Sequence, residues 1–418
     1  MSKKLSAKKI KGIYKDLLMH ARKVRAYRRD LMAESVLSTL DSHIEALKAV
    51  ANSKKGDMPN VASAEKEIEE IHTFLEKHGG KIYPRTLVIE FAEMALIAAL
   101  VIIGIRTFFL QPFIIPTNSM YPTYNGMLPH VHQVDEIPNV FEKTFRLITR
   151  GARNKQVTAP TSGDIYIPIM GIDPKGNPVP FFKNVPGKSW FVFPAVKRRY
   201  YFAVGDTLTY VDVPGEFDGD DIYEPFIDGM ARSESFRSSE LGGVPFFKTT
   251  AYVEAGEPIV NFDILLGDAL FVDRFSYHFI KPGVGDPFVF RTENIPALNQ
   301  SQYYIKRLVG TGGDTLSIEE PVLYRNGEPI KGVDAFDRNH QREGEYEGYV
   351  SPPYDRKFPM PLAQGSTTRV DSDHFFAMGD NSDSSLDSRY WGDVPKESVV
   401  GRAFFIYFPF TNHWGPAE

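Results

Sequence analysis

Cysteine is absent from this chain of 418 residues. That one absence excludes disulfide frameworks, thiolate zinc sites and cysteine nucleophiles together, and it leaves the redox compartment open. Histidine is scarce, with 10 residues, none at metal-ligand spacing beside clustered acids, so no metal site is expected and histidine is not an obvious catalytic base. An overall positive charge is missing too. The net charge of -5 argues against nucleic acid as a partner, because phosphate contacts favour a basic stripe on the folded part.

What is present is 42% hydrophobic and 24% charged side chains, enough for a full-sized core in a chain too long for one average domain. The basic residues crowd the front. Residues 1–30 carry Lys3, Lys4, Lys8, Lys9, Lys11, Lys15, Arg22, Lys23, Arg25, Arg28 and Arg29 against only Asp16 and Asp30, an asymmetry that suits a cytoplasmic, membrane-proximal segment.

Apolar residues at helical spacing over 7–50, from Ile13 to Leu47, and again over 62–78 predict a helical hairpin or short coiled coil. The loop 53–60 separates the two stretches, and Gly79-Gly80 ends the second. Residues 86–105 form the main apolar run, long enough at about 1.5 Å per residue to cross a roughly 30 Å hydrocarbon core. Glu90 and Glu93 are expected toward the inner interface, and Arg106 must snorkel or face protein. From Gln111 onward, short runs rich in Val, Ile, Phe and Tyr alternate with turn residues. Strands are expected over 164–170, 200–204, 207–213, 269–274, 287–291 and 403–408, with Gly-Asp pairs at 163, 205, 267, 285 and 313 as the turns leading into strands.

Directly after the apolar run stands Pro116-Thr117-Asn118-Ser119-Met120-Tyr121-Pro122-Thr123, a serine held between prolines at the expected membrane surface. A serine hydroxyl needs a base to become a nucleophile. Tyr303-Tyr304-Ile305-Lys306-Arg307-Leu308-Val309 offers a lysine among strand-forming apolar residues, where burial would disfavour its charged form. A third segment, Gly379-Asp380-Asn381-Ser382-Asp383-Ser384-Ser385-Leu386-Asp387-Ser388-Arg389-Tyr390-Trp391-Gly392, is dense in hydrogen-bonding side chains, with Asp387 and Arg389 spaced for an ion pair.

In order after a membrane anchor, these segments resemble the boxes of bacterial type I signal peptidase, the Ser/Lys dyad serine peptidase family. Gly267-Asp268-Ala269-Leu270-Phe271-Val272-Asp273-Arg274-Phe275 is similar to its strand box, and Val400-Gly401-Arg402-Ala403 to its ending. The resemblance implies a mainly β fold: an antiparallel β-sheet catalytic domain with one transmembrane helix and an N-terminal helical cytoplasmic segment. It implies Ser119 as nucleophile and Lys306 as general base. Ser385 would hydrogen-bond the lysine amine, Asp387 and Arg389 would support that loop, and Thr117 with the Ser119 N–H would form an oxyanion hole. Phe113, Ile115, Tyr124, Tyr304 and Ile305 would line pockets for small substrate side chains.

The implied activity is removal of signal peptides from exported preproteins after small residues, in an Ala-X-Ala-like pattern, without a cofactor. Its partners would be preproteins, the lipid bilayer and the protein-export machinery. The implied location is a bacterial cytoplasmic membrane, crossed once, with the N-terminus cytoplasmic and the catalytic domain on the periplasmic side. The expected parts are a helical leader 1–85, an anchor 86–110, a β-rich peptidase domain 111–124 and 265–418, and a β-rich insertion 125–264 of unknown role.

Three features depart from the family pattern: Ser382 where many members carry arginine, Gly312 in place of a usual proline, and about 140 residues between the serine and strand boxes. A penicillin-binding-type Ser-x-x-Lys occurs as Ser6-Ala7-Lys8-Lys9 and Ser63-Ala64-Glu65-Lys66, both before the anchor and without partner motifs. Self-cleaving SOS-response repressors share the Ser–Lys logic but would have no use for the apolar run. The non-enzymatic alternative is a membrane-tethered β scaffold that presents or binds exported proteins.

Overall fold

A computed structural model of the chain describes residues 7–417 apart from 54–58, 85–86, 134–137, 173–177, 190–192, 218, 234–240, 299–300 and 358. It divides into two compact units, Met1–Ile103 and Gly104–Glu418.

In the first unit, the stretch expected as one helical run over 7–50 is two helices, α1 (Ala7–Arg28) and α2 (Glu34–Asn52), followed by α3 (Val61–His78). A continuous helix over 7–50 would extend for about 66 Å with its apolar stripe uncovered. The break at Arg29–Leu31 lets α2 and α3 both pack on α1, burying Tyr14, Val24, Leu40, Leu47, Ile71 and Leu75 in one core. The Asn60 side chain caps α3 by accepting from the Ser63 N–H, and Gly80 takes the left-handed conformation just past its end.

Helix α4 (Leu87–Phe108) follows, and its Glu90–Phe108 stretch is long and apolar enough to cross a membrane, with none of it buried. Thr86, where the apolar run was expected to begin, lies outside the described residues. Glu93 is matched by Lys23 of α1 at 2.5 Å, so the charge that interrupts the apolar run has a counter-ion within the same unit.

The second unit is mainly β. Its eight-stranded antiparallel sheet runs in spatial order Leu110–Ile114, Ala269–Asp273, Val399–Phe408, Pro287–Arg291, Tyr303–Thr311, His374–Met378 and Val394–Pro395, with Gly415–Pro416 added on Val399–Phe408. Leu270 and Val272 alternate toward one core, which they share with Val289, Ala403, Ile406, Ile115, Met120 and Tyr124. Each of the five Gly-Asp pairs stands at or just before the start of a strand.

Among its described residues, the segment 125–264 folds as β structure with one substantial helix, α5 (Val140–Arg150). A seven-stranded sheet is built around Gly163–Ile172 and Phe193–Val204, and a three-stranded one sets Pro258–Ile264 between Pro129–His132 and Arg153–Thr158. Both share a core of Ile167, Phe202, Val204, Phe217 and Phe262.

Candidate active site

Two edges of the eight-stranded sheet leave a groove between them. Leu110–Ile114 pairs on one side only, with Ala269–Asp273. The Tyr303–Thr311 strand pairs with Pro287–Arg291 along Tyr303 to Arg307, but its other edge meets His374–Met378 only from Arg307 onward. The backbone of Tyr303–Lys306 is therefore open on the side facing the groove. This groove has a volume of about 570 Å³, and Phe113, Ile115, Leu270, Val289, Tyr304 and Ile305 are among its walls.

Ser119 and Lys306 meet in that groove. Ser119 lies on the single helical turn Asn118–Met120, set by the extended Thr117 before it and the extended Tyr121 after it. Lys306 Nζ donates to Ser119 Oγ at 2.6 Å and to the Ile305 carbonyl at 3.0 Å. The lysine is only 4% exposed and the serine 8%. Burial pushes the Lys306 ammonium down to about 8, against the opposing pull of Asp387 and Asp380. Neither carboxylate forms an ion pair with it: Asp380 is taken by Arg307 and Asp387 by Arg389.

The loop after His374–Met378 holds the serine turn in place. Asn381 donates from its N–H to the Ser119 carbonyl at 3.2 Å and from Nδ2 to the Asn118 carbonyl at 3.1 Å. Arg307 grips Asp380 through Nε at 2.8 Å and Nη2 at 2.6 Å, and Thr123 Oγ1 donates to the same carboxylate at 2.6 Å. Asp387 and Arg389 are fully buried and form a two-point pair, both contacts at 2.8 Å. Ser382, the departure from the usual arginine, accepts from Arg389 Nη1 at 2.7 Å. Gly379 is required by close approach: a Cβ there would lie 2.3 Å from the Ser119 carbonyl and 2.2 Å from Ser385 Oγ.

Of the other expected residues, Thr117 lines the groove with Phe113, Ile115, Tyr304 and Ile305. Tyr124 does not. Its ring is wholly buried in the core under the sheet, because the Tyr124 N–H closes a turn onto the Met120 carbonyl and carries the side chain inward. Ser385 is also placed differently in detail. It is buried close to Gly379, but its Oγ has no hydrogen-bond partner, and the contacts of Lys306 go instead to Ser119 and Ile305.

Four participants escaped the sequence reading. Arg307, Asp380 and Asn381 stood inside the quoted motifs and were detectable as polar residues flanking a strand and a turn. Glu216 belongs to the 125–264 segment and reaches the groove wall; no local pattern signals that. Its loop is fixed by Phe217, which is fully buried and whose carbonyl accepts from Arg198 Nη1 at 3.0 Å.

The family model "Signal peptidase, peptidase S26" matches residues 259–408. A relative from Synechocystis sp., a probable signal peptidase I-1, is 32% identical over 152 residues, which is 36% of this chain and 66% of that protein. The signal peptidase I of Leptolyngbya laminosa is 30% identical over 177 residues, 41% of this chain and 74% of that protein. The chain thus spans just under two thirds of the first relative and about three quarters of the second. A crystal structure of a signal peptidase I from Enterococcus faecalis V583 aligns over 29% of this chain and 97% of that one, with 28% identity and a TM-score of 0.23.

Proposed function

The chain belongs to the signal peptidase family, peptidase S26, and from that premise we propose that it is a membrane-bound signal peptidase that removes signal peptides from exported preproteins. The observation that carries the reading is the 2.6 Å contact between Lys306 Nζ and Ser119 Oγ, made between residues far apart in the sequence and closed off from water. Once Lys306 has lost its proton, the amine accepts the Ser119 hydroxyl proton as Oγ attacks the scissile carbonyl. Thr117 and the Ser119 N–H stabilise the oxyanion. The lysine then passes its proton to the departing amine, and water attacks the acyl-serine with Lys306 again as base. Asp387 and Arg389 keep the Ser385 loop in shape.

Substrate enters extended, adding a strand between Phe113–Ile115 and Tyr303–Ile305, and its alternate side chains face the shallow apolar walls. Small residues one and three places before the cut suit those walls. Helix α4 is the single anchor, with the leader in the cytoplasm and the peptidase unit on the periplasmic side of a bacterial cytoplasmic membrane. The test is cleavage of a preprotein by the detergent-solubilised full chain, with Ser119→Ala beside it. Wild type should yield one cut after an Ala-X-Ala-like site and Ser119→Ala none; cleavage that survives Ser119→Ala would remove the serine mechanism.

A further inference from the structure

Helix α5 is attached to the peptidase unit the wrong way round for a soluble protein. Asn139 and Glu142 cap its start reciprocally and Gly151 ends it in the left-handed conformation, so its length and phase are firmly set. Among its apolar residues Val140 is 81% exposed, Phe141 80%, Phe145 60%, Leu147 49% and Ile148 66%, and no residue of the helix is buried. What fastens α5 to the sheet below is polar. Arg146 Nη1 donates to Asp263 Oδ2 at 3.1 Å and lies 3.0 Å from His132 Nε2. Two backbone groups beyond the helix complete the attachment: the Phe410 N–H donates to the Thr149 carbonyl at 3.1 Å, and Gly151 sits against Leu266 and Phe408. An amphipathic helix normally buries its apolar stripe; this one leaves its apolar residues exposed and turns Arg146 onto the sheet.

We propose that the apolar face of α5 lies in the surface of the lipid bilayer as a second, in-plane membrane contact. Three observations favour lipid over a protein partner. The helix itself carries Lys143, Arg146 and Arg150 against Glu142 alone, and the latter is consumed by the cap; aromatic and aliphatic residues on one side with basic residues on the other is the composition of interfacial helices. The turn bonded to its last residues adds Phe410, 63% exposed, and Trp414, 52% exposed, and tryptophan favours the headgroup level. The chain also carries α4, so a bilayer is held at high effective concentration and an 11-residue helix needs little affinity of its own. This last argument rests on reading α4 as the anchor. Helix α5 lies outside residues 259–408, the part matched by the family model.

The absence of cysteine makes the test direct. Full-length chain bearing Phe141→Cys, Ile148→Cys or, in α4, Ile97→Cys is labelled with an environment-sensitive fluorophore and reconstituted in vesicles of phosphatidylethanolamine and phosphatidylglycerol. Lipids spin-labelled high on the acyl chain quench from within the bilayer, and iodide quenches from water. The expected result is loss of about half or more of the emission at 141 and 148 with spin-labelled lipid, and protection from iodide. Iodide quenching at 141 and 148 with lipid quenching at 97 would overturn the proposal and leave the anchor standing. Protection from both quenchers would mean a second copy of the chain covers the face, which also overturns it. Lipid quenching at none of the three positions would remove the anchor reading and this proposal together.

Discussion

Lys306 suits the role of base proposed for it because of what surrounds it rather than what it is. Its ammonium would ordinarily hold a proton to about pH 10.4, and burial brings that down to about 8. Desolvation raises the free energy of the charged form only, so the neutral amine becomes available near working pH. The sign of the pH dependence follows: below pH 8 the amine is mostly protonated, so kcat/KM should fall about tenfold per pH unit there and level off above it. Lys306→Arg should be as inactive as Lys306→Ala, since a guanidinium does not deprotonate at accessible pH. Turnover that stays flat down to about pH 5 would assign the base to another group. Glu216 supplies the second residue-scale prediction. It puts a carboxylate on an otherwise largely apolar wall, so peptides with Lys or Arg near the cut should be favoured. Because the group is exposed, Glu216→Gln should erase that preference by no more than about fivefold in kcat/KM; an unchanged ratio of basic to neutral peptides would show that the carboxylate does not meet substrate.

The elements that carry Ser119 and Lys306 are locked together by ion pairs that lie out of water. Arg307, next to the base on its strand, and Asp380, next to the loop that holds the Ser119 turn, are both about 2% exposed or less. Removing one partner of such a pair strands the other charge without solvent, at a typical cost of about 3–5 kcal/mol. Asp380→Ala should therefore lower the unfolding free energy measured by urea denaturation by that much and separate Lys306 from Ser119. Wild-type stability in that variant would mean that the pair does not hold the two elements. Much at this scale was legible beforehand. The strands over 287–291 and 403–408 follow from β-branched and aromatic runs between Gly, Pro and Asp turns, and each Gly-Asp pair marked a strand start because a short polar turn must precede re-entry into the sheet. The break between α1 and α2 was not legible, since the apolar spacing continues through it and only packing on α1 rewards the turn. Tyr124 and Ser385 are the same lesson in side chains: each stands beside residues that line the groove, but which way each points depends on backbone turns and packing that a motif does not encode.

At the scale of the whole molecule, the basic leader before α4 predicts orientation by the positive-inside rule. Protease added to intact spheroplasts should digest the part after Pro112 and spare the leader; the reverse pattern would place the groove on the cytoplasmic side and remove exported preproteins as substrates. By itself the sequence carried the mainly β character of the second unit, the signal peptidase family and the long apolar run of α4, and it singled out Ser119 and Lys306 as the pair proposed to act together, because apolar periodicity, turn chemistry and short motifs are properties of adjacent residues. Only the tertiary structure decided that Lys306 is buried against Ser119, that Arg307 and Asp380 are spent on one another, that Tyr124 turns into the core, that Glu216 comes from 125–264 to the groove and that α5 faces outward. Burial and pairing are set by residues distant in the chain, 73 positions for Arg307 with Asp380 and 187 for Lys306 with Ser119, and no local pattern carries the desolvation that loosens a lysine's hold on its proton.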